Sequence, residues 1–165
     1  MKSYYNNYPA YIPILRTTFN VSLVTTGLIT LLHVNIWIAV LYILYCFCAA
    51  LIIMPKLRCT KCYYHKGLCS TGFSLIAQRL HKNSSNKPFK SGAWHNIFLI
   101  PIAFIPIGGG IYLLFSHCST KNMILLSLVL LSFAAILIEH GCLGCYNCKE
   151  LEQCIAGKVV KRQQD

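Results

Sequence analysis

Two short clusters of thiol and imidazole side chains stand out in the sequence: Cys59, Cys62, His65 and Cys69, then Cys142, Cys145, Cys148 and Cys154. Aligned, both read C-x-x-C-Y-x-(H/C)-K, then two or four residues, then C-x-x-G, so that His65 stands where Cys148 stands. Zinc takes thiolate and imidazole ligands four at a time in a tetrahedron, and each cluster contains one such set. Iron–sulfur clusters also require Cys thiolates, and a C-x-x-C-x-x-C run wraps three corners of a 4Fe–4S cubane while the fourth thiolate comes from elsewhere. The remaining cysteines, Cys46, Cys48 and Cys118, read as small buried hydrophobes without a chemical role.

Within the second cluster, Cys142-Leu143-Gly144-Cys145-Tyr146-Asn147-Cys148 resembles the cluster-wrapping portion of bacterial ferredoxins. The resemblance spans seven residues and then ends, because Cys154 follows after five intervening residues and carries no Pro behind it. It implies an iron–sulfur cluster, with 4Fe–4S favoured over zinc, whose fourth ligand is either Cys154 or a cysteine of the first loop. Successive C-x-x-C steps crowd a single zinc ion, whereas a cubane spreads its corners. The first cluster leans toward zinc through His65. A single site shared by Cys59, Cys62, Cys145 and Cys148 is a further arrangement. A C-x-x-C pair also serves thiol–disulfide exchange, but the βαβ context of thioredoxin-like proteins is missing.

The elements that must position these groups lie in a membrane. Of 165 residues, 15 are Lys or Arg and 4 are Asp or Glu. That 12% charged fraction is about half the usual share in soluble domains, and mean hydropathy is +0.55, which excludes an ordinary soluble multidomain enzyme. A bilayer core needs about 20 apolar helical residues. Thr17 to Leu32, Ile36 to Met54, Ile97 to Phe115 and Met123 to Ile138 lack Lys, Arg, Asp and Glu, and short turns join them pairwise into two helical hairpins. The fold class expected is an all-α membrane protein of four transmembrane helices, each hairpin followed by a Cys loop.

The charge of +11 finds its explanation in topology. Residues 55 to 96 hold eight basic residues and no acid, the N-terminus two and the C-terminal tail four, against Lys121 alone in the turns. The positive-inside rule then puts both termini and both Cys loops in the cytoplasm of an inner or plasma membrane. There the basic loop meets anionic lipid headgroups rather than nucleic acid, and reducing conditions disfavour structural disulfides. Tyr4, Tyr5, Tyr8 and Tyr11 suit an interfacial aromatic belt.

The hairpins themselves look duplicated. His33 precedes Cys59 by 26 residues and His117 precedes Cys142 by 25, each at the outer end of its hairpin. Residues 1–96 and 97–165 are therefore read as two repeats related by an axis along the membrane normal, which would bring the Cys loops together. Thr18, Ser22, Thr26 and Thr30 form a small hydroxyl stripe suited to close helix packing. Pro101, Pro106 and Gly108 to Gly110 invite a kink or close contact in the third span. Phe73 to Leu80 reads as a short helix on the membrane surface, followed by a turn at Asn83 to Pro88. The four carboxylates all lie in the C-terminal tail, so no intramembrane acid pair is available for catalysis. The function expected is an iron–sulfur-carrying or zinc-stabilised accessory subunit, partnered by other membrane subunits. A zinc-pinned structural or assembly subunit and a thiol-based redox sensor are the alternatives.

Overall fold

The computed structural model describes residues 5–81, 94–152 and 154. Asn83 to Pro88 lies outside them, as do Lys2, Tyr4 and the basic residues after Cys154.

Four helices are long and apolar enough to cross a membrane, and no strand occurs among the described residues. Helix α1 (Tyr11–Val34) begins six residues earlier than the uncharged run, because Arg16 lies inside it. Asn35 then breaks the helix in an extended conformation, and its side chain accepts the Trp37 N–H at 2.8 Å to cap α2 (Ile36–Cys48). Side-chain capping of this kind satisfies a donor that the first turn leaves orphaned. Helix α2 continues through a π-helical turn, Ala49–Ile53, into the single turn α3 (Met54–Leu57). After two 3₁₀ turns comes α4 (Phe73–Leu80), matching the helix expected there, with Gly72 at φ +73° ahead of it. A 3₁₀ turn, Trp94–Leu99, leads into α5 (Ile100–Ser116). Ser119 caps α6 (Thr120–Glu139), which runs into a second π-helical segment, His140–Cys145.

Helix α1 is the hub, packing broadly on α6, α5 and α2, whereas α2 and α5 barely meet. A two-fold axis would relate the α1–α6 interface to the α2–α5 interface, so the bundle is lopsided. Small residues in α1 and α5 explain the close approach. A Cβ on Gly27 would come 2.7 Å from the Pro106 ring, and one on Gly109 2.8 Å from Leu31. Pro106, Gly109 and Gly110 of α5 are thus packing residues, as their type implied, whereas Gly108 faces open space.

The hydroxyl stripe of α1 does less than expected between helices. Thr18, Thr26 and Thr30 each bond a carbonyl one turn back in their own helix. Only Ser22 reaches across, to Ser132 of α6 at 3.0 Å. Large apolar side chains such as Trp37, Leu41, Phe115 and Leu131 cover the outside of the bundle, as a lipid-facing surface requires.

Candidate functional site

The N-terminal segment and both Cys loops gather at one end of the bundle, while the turns at Asn35 and at His117 to Ser119 lie at the other. Between the loops is a cavity of ≈ 60 Å³. Six cysteines line it, three from each half of the chain: Cys59, Cys62 and Cys69, with Cys145, Cys148 and Cys154. All ten cysteines of the chain are unpaired. Among the described residues, no three Cys, His, Asp or Glu side chains are grouped so that they could hold a metal ion. The thiols therefore surround a shared space without a preformed single-ion clasp.

Local structure decides which side chains of each cluster face this space. Helix α3 ends at Leu57, and Cys59 opens the 3₁₀ turn Cys59–Lys61. In the second loop the helical path persists through Cys145, which leaves Cys142 exposed and outside the cavity wall. His65 is also absent from the wall: it is buried, 3% exposed, with Nδ1 unpartnered. Of the eight ligands expected from sequence, six meet and two do not.

A tyrosine strap locks the two loops together, which corrects the reading of Tyr5 and Tyr8 as an aromatic belt. Tyr8 is only 3% exposed. Its N–H donates to the Leu68 carbonyl at 3.0 Å and its hydroxyl to the Gly144 carbonyl at 2.6 Å, one contact for each loop. The Tyr5 N–H donates to Asn147, and the Tyr64 hydroxyl donates to Tyr5 while accepting the Lys149 N–H. Glu150 adds another cross-link by accepting the Tyr63 N–H at 3.1 Å. Buried aromatic bodies with hydroxyls that reach a carbonyl are the arrangement in which Tyr suits an interior.

The sulfur environments differ. Burial, reinforced by Cys69, Cys148 and Glu150, pushes the Cys62 thiol up to about 12, against a smaller opposing effect from the Tyr64 backbone. Burial also raises Cys148 and the Glu150 carboxyl. At Cys69 burial again acts upward, but hydrogen bonds from the side chains and backbone of Ser74 and Thr71 outweigh it and hold the thiol below its ordinary range. The Cys69 Sγ lies 3.1 Å from the Thr71 hydroxyl. Hydrogen bonding to the charged form is what opposes desolvation here.

Two further residues were not singled out as site residues. His140 lines the cavity, with Nε2 3.4 Å from Cys145 Sγ and Nδ1 2.6 Å from Arg16 Nη2. Arg16, one of the two basic residues counted at the N-terminus, is 8% exposed. Neither belongs to the repeated pattern, so spacing offered no sign of them.

No known protein-family model matches the chain, and no curated protein or solved structure is detectably similar to it.

Proposed function

We propose that this chain is an integral membrane protein whose two Cys loops jointly hold one thiolate-ligated inorganic centre at the cytoplasmic membrane face. An iron–sulfur cluster is favoured over zinc, and the protein acts as an accessory electron-transfer subunit beside other membrane subunits. The observation that carries this reading is the meeting of six unpaired cysteines, three from each half, around one cavity. Thiols distributed around a space suit a polynuclear centre better than one tetrahedral ion, since a cubane's corners are spread over its surface. The ferredoxin-like run Cys142 to Cys148 supports the same choice, although Cys142 itself faces outward, so the ligands would come from Cys145, Cys148, Cys154 and the first loop. The basic loop supports the cytoplasmic side, and the matching Cys motifs support an origin by duplication despite the lopsided packing.

A zinc-pinned structural subunit is the second reading. It is favoured by the extent to which the loops depend on cross-links: beyond the tyrosine strap their described residues contain only short helices, and small units of this kind commonly draw their folding energy from a metal.

Anaerobic purification with metal and sulfide analysis separates the readings. Iron and acid-labile sulfide, with a broad visible absorption that bleaches on reduction, support the electron-transfer role. Stoichiometric zinc without colour supports the structural one. Absence of both would leave thiol chemistry and overturn the metal reading.

A further inference from the structure

Helices α1 and α2 are held together in the half near Asn35 by a contact of Leu31 with Ala39, Tyr42 and Cys46, joined by Val24 and Leu28. Toward the Cys loops a cleft of ≈ 800 Å³ lies between the two helices, walled by Val21 and Val24 of α1, Phe47 of α2, Leu51 of the π-helical turn and Phe73 of α4. A π-helical turn inside a helix is often found at a functional position, and Ala49–Ile53 lies where the cleft opens. Helix α4 closes the Cys-loop end. It packs on α3 below α2, and a Cβ on Gly72 at its start would stand 3.6 Å from Pro13 of α1. The volume is that of a small-molecule site.

One wall carries an unpaired amide. Pro13, Thr17, Asn20 and Val24 follow at three- and four-residue steps and so share one face of α1. Pro13 and Thr17 meet Gly72, and Val24 packs on the α2 contact. Asn20 therefore lies on the inner wall of the cleft, half-buried. Thr17 and Thr18 donate to carbonyls of their own helix, but the Asn20 amide has no hydrogen-bond partner among the described residues. Asn20 stands about 14 Å along α1 from Tyr11 and about 21 Å from Val34. That depth is inside a hydrocarbon core about 30 Å thick, whose polar headgroup layers lie outside it. An amide left unpaired there is costly. A phospholipid tail would fill the volume but offer no hydrogen bond, so the fitting occupant brings a polar atom into the hydrocarbon region.

We propose that this cleft binds a lipid-soluble quinone, with Asn20 donating to a ring carbonyl, Phe47 and Phe73 walling the planar ring, and the apolar tail running out into the bilayer. Thr71 lines both the cleft and the sulfur chamber, and its hydroxyl lies 3.1 Å from Cys69 Sγ, so the ligand would stand beside the six cysteines. Among carbonyl-bearing lipids the quinone is the electron-carrying class, and in naming it the inference rests on the proposed electron-transfer role. Binding depends on the cleft alone.

The test is saturable binding of a fully substituted benzoquinone with a decyl tail to the full chain in nanodiscs, above that of empty nanodiscs. Full substitution leaves no ring position for addition by a thiol. Decylbenzene, the same tail on a ring without carbonyls, is the comparison probe. The wild type is expected to bind the quinone about tenfold more tightly than decylbenzene, and Asn20→Leu to lose that tenfold, the worth of one hydrogen bond. Val21→Trp, at a position 58% exposed on the cleft wall, should abolish binding of both probes, whereas Gly108→Ala, with open space around it, should bind as wild type. Equal affinity for the two probes, or wild-type quinone affinity in Asn20→Leu, overturns the proposal in favour of a lipid-tail groove. Normal binding in Val21→Trp puts the ligand elsewhere and overturns the site, and no saturable binding of either probe overturns it in favour of a face covered by a partner subunit. Metal analysis of the same samples reports on the other reading. A chain that binds the quinone but no metal keeps the cleft and overturns the electron-transfer role, and the reverse result overturns the cleft alone.

Discussion

The two Cys loops carry nearly the same motif yet present different positions of it to the chamber. The first contributes its first, second and fourth positions and leaves His65 out of the wall. The second contributes its second, third and fourth and leaves Cys142 in the open. The difference originates in the helices that lead into them. The α-helical path tightens after Leu57 into 3₁₀ turns at Cys59–Lys61 and Tyr63–Lys66, whereas the path below α6 widens into a π-helix through Cys145 and leaves Cys142 exposed. A repeated motif therefore specifies which side chains are available, and the local path of the chain specifies which of them face the chamber.

The largest effect that would sharpen this comparison concerns the chamber thiols in the metal-free protein. Moving Cys62 from 9.0 to about 12 lowers its thiolate fraction at pH 8 by about a thousandfold. Cys62 alkylation in the folded chain should lag that in denaturant by the same order, and the lag should close as pH rises toward 12. The sign for stability follows: this raised thiol favours the fold below about pH 9 and loses that contribution between pH 9 and 12. A pH profile of Cys62 labelling that is identical in folded and denatured protein would break the distinction between chamber and surface.

Next in size are the helix contacts that bring the loops together. Gly27→Ala would drive a methyl into Pro106 and should cost about 1–3 kcal/mol, as overpacking usually does. Gly108→Ala, with nothing within 4 Å of its added Cβ, should leave stability the same or slightly higher. Thermal unfolding of both variants in one detergent checks the contrast.

The smallest effect belongs to the strap. Tyr8→Phe removes the hydroxyl bond to Gly144 and should cost about 1 kcal/mol. Faster hydrogen exchange at residues 144–148, with little change in the first loop, is the expected signature. Equal acceleration in both loops would mean that the hydroxyl does more than hold the second one.

Much of the fold was legible because a bilayer imposes its own arithmetic. Uncharged runs such as Ile36 to Met54 have few ways to exist other than as spans, and the short pattern Phe73 to Leu80 is long enough for one amphipathic helix. Pro106, Gly109 and Gly110 likewise signal close contact through residue type, although Gly108, of the same type, makes none. The chamber was legible in composition but not in detail. That Cys59, Cys62 and Cys69 lie near Cys145, Cys148 and Cys154 was suggested by the duplication, yet the exclusion of His65 and Cys142 depends on where helices end, which residue spacing does not encode. Arg16 and His140 are 124 positions apart, and no local pattern announces a pair made only by tertiary packing. Tyr8 misled for a related reason: an amphipathic ring suits a membrane interface and a loop–loop junction equally well.

The central claim is that the two loops form one site. Its most direct test is the metal-to-protein ratio of anaerobically purified wild type beside Cys62→Ser, Cys148→Ser and Cys142→Ser. A shared centre predicts that Cys62→Ser and Cys148→Ser each lose nearly all the bound metal, while Cys142→Ser keeps it. Loss of only half the metal in each of the first two would mean two independent sites and contradict the account, as would a wild type that binds none.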